Sequence, residues 1–190
     1  MKLKIPDAEI IFYPNFFPKS ESDAFYEDLY RRADWKEERI KLYGKTVAMP
    51  RLTAWYGEPG STYRYSGITV KPAPWTSALL AIKKKIEAVS QETFNGVLLN
   101  LYRNELDSVS WHSDDEPELG PVIGSVSLGE TRRFQFKHKR IKGLRHEILL
   151  THGSYLLMKA PTQRFWLHQI PKGTKRHFPR INLTFRKIIK

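Results

Sequence analysis

A histidine and an aspartate stand two residues apart in the segment Trp111-His112-Ser113-Asp114-Asp115-Glu116. In an extended strand successive side chains alternate between the two faces, so His112 and Asp114 point to the same side. With a second imidazole from a distant strand, they would form the facial triad that holds iron(II) and leaves coordination positions open. A His-x-Asp tripeptide alone is a weak signal and is more often simply a polar strand end, so a third ligand and a co-substrate pocket are needed to support a metal site.

The third ligand must be another histidine or a carboxylate, because the chain contains no cysteine. Three of the remaining histidines are poor candidates. His138 and His146 have cationic neighbours, which disfavour binding of a dication, and His152 precedes a glycine as in a turn.

The choice therefore lies between His168 and His177. His177 stands an odd number of residues before Arg180, so in a continuous strand it would face away from the side chain of Arg180. His168 has no such objection and is the preferred ligand. Pro179 could interrupt the alternation, so His177 remains the alternative.

The C-terminal strand predicts a binding site for a small dicarboxylate. Its polar residues alternate with apolar ones and share one face, namely Arg180, Asn182, Thr184 and Arg186. A guanidinium pairs with a carboxylate in a planar fork, so two inward-facing arginines suit a dicarboxylate ligand. Asn100 and Tyr102 share a face of another strand and could add hydrogen bonds. The alternative is an exposed edge strand that carries charge.

The composition indicates a folded basic domain. A chain of 190 residues with 41% hydrophobic and 13% aromatic residues is expected to form one globular domain. The formal net charge of +12 favours polyanionic partners, with nucleic acid as the first candidate. No signal peptide or membrane span is predicted. We expect a cytoplasmic protein, or a nuclear one if the source is eukaryotic, and a monomer with no membrane partner.

The elements that must position these residues are mostly short strands. A strand is predicted within 10–17, and helices are predicted from Ser20, as N-cap, to Asp34 and from Pro74 to Glu92. The apolar face of the second helix would hold Leu79, Leu80, Ile82, Ile86 and Val89. Seven β-rich runs follow between residues 96 and 188. This pattern predicts a mainly β, α+β fold of sandwich or jelly-roll type, with the helices packed on one side.

The segment between the two helices combines aromatic and basic residues. Its glycines and prolines predict hairpins, along which Tyr43, Trp55, Tyr56, Tyr63 and Tyr65 interleave with Arg39, Lys41, Lys45, Arg51 and Arg64. Such a mixture can stack bases while it neutralises phosphates. For any single ring, burial in the core is an equally good interpretation.

Together these motifs resemble the AlkB family of iron(II)- and 2-oxoglutarate-dependent dioxygenases, in particular the eukaryotic homologues that repair alkylated double-stranded DNA. The likeness runs from about residue 43 to residue 190. It is carried by Asn100-Leu101-Tyr102, His112-x-Asp114, His168, and the strings Met49-Pro50-Arg51, Tyr63-x-Tyr65-Ser66-Gly67, Asp114-Asp115-Glu116-x-Glu118-Leu119 and Arg180-Ile181-Asn182-Leu183-Thr184-Phe185-Arg186.

The resemblance implies one dioxygenase domain over residues 1–190, a double-stranded β-helix with supporting N-terminal helices. Nucleotide-recognition hairpins would occupy about 36–70 and the jelly-roll core about 95–190. It assigns iron(II) to His112, Asp114 and His168, which would be the catalytic centre. It assigns 2-oxoglutarate to Asn100, Tyr102, Arg180, Asn182, Thr184 and Arg186.

The resemblance also implies substrate contacts. Tyr63 and Tyr65 would line the pocket of a flipped base, and Asp115 or Glu116 would read the edge of that base. Tyr43, before Gly44 at a hairpin tip, would be a wedge inserted into the duplex, at a position where a member of the family has phenylalanine. Lys45 and Arg51 would complete the substrate-binding set.

The implied reaction is oxidative demethylation of N-alkylated bases such as 1-methyladenine or 3-methylcytosine in double- or single-stranded DNA. It would consume O2 and 2-oxoglutarate, with ascorbate as the reductant in vitro, and would release the repaired base, formaldehyde, succinate and CO2. The base must be flipped because the methyl group lies on its pairing edge. The alternatives are an RNA demethylase, another 2-oxoglutarate oxygenase such as one acting on protein, and a non-catalytic nucleic-acid-binding protein of the same fold.

Overall fold

Two antiparallel sheets and two long helices form the structure, which is a computed structural model. It describes residues 1–42, 44–61, 63–65 and 68–189, with the backbone alone at 41–42, 63–65 and 68–70. The N-terminal half contains β1 (Glu9–Tyr13), α1 (Lys19–Arg32), β2 (Arg39–Leu42), β3 (Lys45–Ala48), β4 (Leu52–Gly57), β5 (Tyr63–Tyr65), β6 (Ile68–Val70) and α2 (Ser77–Ser90). The C-terminal half contains β7 (Gly96–Tyr102), β8 (Val109–His112), β9 (Leu119–Gly129), β10 (Arg132–His138), β11 (Arg145–Leu150), β12 (Ser154–Lys159), α3 (Thr162–Phe165), β13 (Trp166–Ile170) and β14 (Arg180–Ile188).

Ten of the fourteen described strands form a major and a minor sheet, and the other four form the two-stranded sheets β2-β3 and β5-β6. The major sheet has the order β1-β12-β9-β14-β7-β4, and the minor sheet has the order β11-β10-β13-β8. All of their pairings are antiparallel. The predicted mainly β jelly roll is therefore confirmed.

A hydrophobic core fills the space between the two sheets. The major sheet contributes buried side chains from β1, β9 and β12, and the minor sheet contributes Phe134, Phe136, Ile148 and Trp166. Burial of this apolar surface, at about 25 cal/mol per Å², holds the sheets face to face. The functional residues described below line the same space, so the core fixes their separation.

A second core packs the helices on the other face of the major sheet. Leu29 of α1 and Leu79, Ile82 and Ile86 of α2 are buried there. The predicted apolar face of α2 was too wide, because Leu80 and Val89 are 48% and 45% exposed on the flank of the helix.

The N-terminus of α1 also differs from the prediction. The N-cap of α1 is Pro18, so Ser20 lies inside the first turn and its predicted capping role is wrong. The hydroxyl of Thr76 caps α2 by accepting a hydrogen bond from the backbone N–H of Leu79 at 3.3 Å. In the described part of the chain, no helix combines the length and hydropathy needed to cross a membrane.

β14 has the predicted bounds and is a central strand, since it pairs with both β9 and β7. Its apolar residues Ile181, Leu183 and Phe185 are fully buried on the helix side. The polar residues face the space between the sheets and are also buried. The alternative of an exposed edge strand is therefore excluded.

Some of the aromatic residues in the segment before α2 are buried in the core. Trp55 and Tyr56 are 6% and 4% exposed on β4, at the edge of the major sheet. The Tyr56 hydroxyl accepts a hydrogen bond from the backbone N–H of Asp34 at 3.0 Å. These two rings stabilise the fold, so they do not belong to the base-stacking set.

Candidate metal and co-substrate site

The predicted metal ligands meet between the ends of two neighbouring strands of the minor sheet. His112 ends β8 and lies opposite His168 of β13 in register. The ligand atoms of these histidines and Asp114 all lie within 4.8 Å of one another. No other cluster of three such side chains occurs among the described residues. The structure thus brings together His168, and not His177, with the His-x-Asp pair.

Each histidine is prepared to bind a cation. Nδ1 of His112 lies 2.8 Å from the carbonyl oxygen of Ser110. A carbonyl can only accept, so Nδ1 carries the proton and Nε2 keeps a free lone pair. Burial lowers the pKa of His168 to about 3. His168 is therefore a neutral imidazole at physiological pH, the form that ligates metals.

Asp114 is held as a buried carboxylate. Nη2 of Arg186 donates to its Oδ1 at 2.6 Å, while its Oδ2 lies 3.7 Å from Nε2 of His168. Burial alone would raise the pKa of Asp114, but the charge of the adjacent Arg186 is the main cause that holds that pKa well below its usual range. Two neutral nitrogens and one anionic oxygen form a donor set that suits a divalent transition metal.

A cavity between the sheets extends from these ligands along β14. Five of the six residues predicted to bind 2-oxoglutarate line it, namely Asn100, Tyr102, Asn182, Thr184 and Arg186. Apolar side chains form another part of the wall, namely Leu98, Val109, Phe134, Met158 and Ile170. The cavity thus combines a polar strip on the major sheet with an apolar patch.

Arg180, the sixth residue, lies at the inner end of the polar strip. Its side chain is fully buried, with its guanidinium 5.2 Å from the centre of the Tyr102 ring. Nη2 donates to Ser127 Oγ at 2.8 Å and to Asn182 Oδ1 at 2.9 Å. Within the described residues, its Nε and Nη1 are buried without a hydrogen-bond partner.

A buried cation with unused donors is costly unless an anion pairs with it. Burial lowers the pKa of Arg180 to about 10, which leaves it positively charged at neutral pH. The orphaned nitrogens of Arg180 therefore suit a carboxylate beside Tyr102 and Asn182, and these two residues line the same cavity as the metal ligands. This arrangement fits a dicarboxylate that reaches from the arginine to the metal.

A hydrogen-bond network keeps the polar strip in place. Asn182 accepts from Ser125 Oγ at 3.0 Å and donates to Thr184 Oγ1 at 2.8 Å. Ser125 and Ser127 were missed from the sequence. The strict alternation of β9, which puts these serines on one face, was the signal that could have found them.

Two further arginines border this region. Arg51, predicted to bind substrate, is 5% exposed and donates to Asn100 Oδ1 at 2.8 Å, so it forms part of the cavity wall. Arg132 is also buried, with its guanidinium 5.6 Å from the centre of the Tyr102 ring. It donates to the carbonyl oxygens of Asn104, Asp107 and Pro171, which joins two loops beside the cavity. Nothing in the sequence pattern indicated that role of Arg132.

The other residues predicted to bind substrate lie on the rim or outside the description. Asp115 and Glu116 line a cleft of about 420 Å³ beside Asp114. Gly44, with a φ of +78°, and the exposed Lys45 lie at the turn between β2 and β3. Tyr63 and Tyr65 lie on β5, of which the backbone alone is described. Tyr43 falls outside the described residues.

The family model of the 2OG-Fe(II) oxygenase superfamily matches residues 9–186. The chain is 43% identical over 197 residues to alpha-ketoglutarate-dependent dioxygenase alkB homolog 3 of Bos taurus, covering 95% of this chain and 66% of that protein. It is 39% identical over 189 residues to DNA oxidative demethylase ALKBH2 of Homo sapiens, covering 93% of this chain and 72% of that protein. The chain thus spans slightly less than two thirds of the alkB homolog 3 protein.

Solved structures agree with these matches at the level of the fold. The structure of OsALKBH1 superposes with a TM-score of 0.65 at 14% identity, over 98% of this chain and 99% of that chain. A prolyl hydroxylase from Trichoplax adhaerens, in complex with a hypoxia inducible factor peptide fragment, also gives 0.65, at 11% identity over 94% of this chain. The metal ligands, the arginine-bearing strand and these matches agree, and the chain belongs to the AlkB family of the 2OG-Fe(II) oxygenase superfamily.

Proposed function

We propose that this protein is an iron(II)- and 2-oxoglutarate-dependent dioxygenase that removes N-methyl groups from bases in DNA. One observation carries the proposal. His112, Asp114 and His168 line the same cavity as Tyr102 and Asn182, and the buried guanidinium of Arg180, which has unpaired donors among the described residues, contacts the latter two. When bound, iron(II) and 2-oxoglutarate supply the oxidising chemistry that turns an N-methyl group into formaldehyde, with O2 consumed and succinate and CO2 formed.

The polar strip would bind and orient the co-substrate. Arg180 would pair with the carboxylate far from the metal through Nε and Nη1, which have no partner among the described residues. Asn182 and Thr184 support this end through their shared network. A ligand held at both ends presents one defined face to the metal, which lowers the entropic cost of reaction.

The apolar wall would keep water away from the reacting centre. Phe134 lies with its ring centre 5.2 Å from that of His168, and Ile170 follows two residues later on the same face of β13. Exclusion of water strengthens the electrostatic interactions inside a site and limits side reactions.

The rim carboxylates and the basic surface would select the substrate. Asp115 and Glu116 can accept hydrogen bonds from the exocyclic amino group that adenine and cytosine share. The formal net charge of +12 favours a polyanion. The names of the relatives, a DNA oxidative demethylase among them, support DNA as the polymer. We also propose that the protein acts as a monomer.

Succinate formation in the presence of iron(II), 2-oxoglutarate and ascorbate tests the proposal. The reaction is run with a 1-methyladenine oligonucleotide, with the same sequence unmethylated, and with the matched RNA. A His112→Ala variant is the inactive control. We expect the methylated DNA to stimulate succinate formation and to lose its methyl group. If only the methylated RNA stimulates succinate formation, the substrate is RNA and not DNA. If no succinate forms under any condition, the protein is a non-catalytic nucleic-acid-binding protein.

A further inference from the structure

Lys139 lies at the start of the loop between β10 and β11 and makes an unusual set of contacts. Its Nζ donates to Ser113 Oγ at 2.8 Å, to Asp115 Oδ2 at 2.9 Å and to the carbonyl oxygen of Gln163 at 2.8 Å. A lysine ammonium has three protons, so these contacts use all of them. Three-quarters of the side chain is buried, although lysine normally extends into solvent.

These contacts surround one metal ligand. Ser113 and Asp115 are the two neighbours of Asp114 along the chain, and Gln163 belongs to α3. The Gln163 side chain also accepts a hydrogen bond from the backbone N–H of Asp114 at 3.1 Å. Lys139 therefore holds the side chains of Ser113 and Asp115, the Gln163 side chain holds the backbone between them, and Arg186 holds the carboxylate of Asp114.

The segment 113–115 has no strand partner of its own to fix it. β8 ends at His112, and the next strand begins at Leu119. A loop without such pairing samples many backbone conformations unless side chains restrict it. The orientation of Asp114 thus depends on contacts from outside its own segment.

We propose that Lys139 is a positioning residue that fixes residues 113–115, so that Asp114 points at the metal and Asp115 points at the adjacent cleft. The metal part of this inference rests only on the ligand set of the proposed function and not on its substrate. Orienting groups of this kind change metal affinity by about 10- to 100-fold when they are removed.

Because Lys139 is charged, the direction of the change in metal affinity on its removal tests the inference. A cation near a dication weakens metal binding through Coulomb repulsion. Removal of the charge alone would therefore tighten metal binding, whereas loss of the positioning contacts would weaken it.

The experiment measures Mn(II) binding to the metal-free full chain by electron paramagnetic resonance, without nucleic acid. We expect Lys139→Met to weaken Mn(II) binding about tenfold or more. Lys142→Met is the matched control, because it removes the same charge from the same exposed loop. Its Mn(II) affinity should stay equal to that of the wild type or rise slightly. Lys139→Arg, which keeps the charge and several donors, should recover part of the loss.

Two further measurements separate positioning from general damage. Ser113→Ala removes one of the three contacts without a charge change, and we expect it to weaken Mn(II) binding by about two- to fivefold. Saturating iron(II) should restore most of the 2-oxoglutarate turnover of Lys139→Met, because the chemistry itself does not use Lys139. A misfolded variant would not recover.

The inference is overturned if Lys139→Met binds Mn(II) as tightly as Lys142→Met, or more tightly. It is also overturned if Ser113→Ala has no effect on Mn(II) affinity. Failure to demethylate DNA, with these Mn(II) results as expected, would refute the proposed substrate and leave the role of Lys139 intact.

Discussion

Nη2 of Arg186 lies 2.6 Å from Oδ1 of Asp114, and the two side chains are only 3% and 4% exposed. The other carboxylate oxygen of Asp114 lies 3.7 Å from Nε2 of His168. The arginine therefore occupies one oxygen and leaves the second one for the metal. This division of the carboxylate links the co-substrate strand β14 to the metal site.

Loss of this ion pair should destabilise the metal-free protein strongly. Arg186→Met leaves Asp114 as an unpaired buried carboxylate, so we expect the free energy of unfolding to fall by about 3–5 kcal/mol. Mn(II) should restore part of that stability, because it supplies a new positive partner. Urea unfolding with and without Mn(II) measures both effects. As a control, Arg133→Met breaks the exposed pair with Glu147 and should cost less than about 1 kcal/mol. Equal losses in the two variants would contradict the expectation.

The choice between the two candidate histidine ligands can be tested directly. His168→Ala removes one of the three groups that converge on the metal, so Mn(II) binding and 2-oxoglutarate turnover should be abolished. His177→Ala should leave both within about twofold, because its imidazole is not part of the cluster. Titration of Mn(II) against each variant gives the answer. The reverse outcome would make His177 the ligand.

Arg180 should control the affinity for 2-oxoglutarate without affecting the metal. In Arg180→Met the carboxylate far from the metal loses its charged partner, and we expect the KM for 2-oxoglutarate to rise about a hundredfold or more. Mn(II) binding should change little, since Arg180 makes no contact with the three ligands. Steady-state kinetics at several 2-oxoglutarate concentrations, together with the Mn(II) titration, separates the two effects. An unchanged KM would remove Arg180 from the co-substrate site.

The Arg103–Asp107 pair should make stability depend on pH. Asp107 accepts from Nε of Arg103 at 2.8 Å and from its backbone N–H at 2.9 Å. Burial opposes ionisation of Asp107, but these hydrogen bonds lower its pKa overall. A lowered pKa in the folded state means that the stabilisation is complete above the unfolded pKa of about 3.9 and is lost as the pH falls below it.

Asp107→Asn tests that dependence. We expect it to lower the free energy of unfolding by about 1–3 kcal/mol at pH 6 to 8. The difference from the wild type should shrink as the pH falls below about 4, because the wild-type carboxylate becomes protonated. Urea unfolding at several pH values checks this. A difference that stays constant down to pH 2 would show that the charge of Asp107 is not responsible.

Tyr43 should matter for duplex DNA more than for single strands. An aromatic wedge would fill the gap left by a flipped base, and a single strand has no such gap to fill. Tyr43→Ala should therefore lower demethylation of a methylated duplex by about tenfold, which is 1.4 kcal/mol of transition-state stabilisation, with a smaller loss on the single strand. Tyr43→Phe is the control and should keep most of the activity. Equal losses on both substrates would remove the wedge role.

Strand periodicity explains why so much of the site followed from the sequence. Alternation with a period of two put the polar residues from Arg180 to Arg186 on one face and the apolar ones on the other. The same rule predicted His112 and Asp114 on one side of the chain, and the two side chains do converge, although β8 ends at His112 and contacts from other segments hold Asp114. Alternation is a local property of a strand, so it holds wherever the sheet places the strand. The jelly roll followed from the spacing of the strands and from the family resemblance.

Tertiary packing decided what local patterns leave open. Arg51 has the same charge and a similar setting in sequence as Lys45, yet one lines the cavity and the other is exposed. Trp55 and Tyr56 are buried because β4 forms the edge strand of the major sheet.

The contacts of Lys139 with Ser113 and Asp115 join residues that are 24 to 26 positions apart in the chain, and no sequence motif predicts them. The sequence by itself determined the His112 and Asp114 pair, the polar face of β14 and the fold class, because strand alternation and residue chemistry are encoded within short segments, whereas the structure decided between His168 and His177. Only the tertiary structure decided which cations face the cavity and which residues hold the ligands, because burial and pairing depend on how distant segments pack.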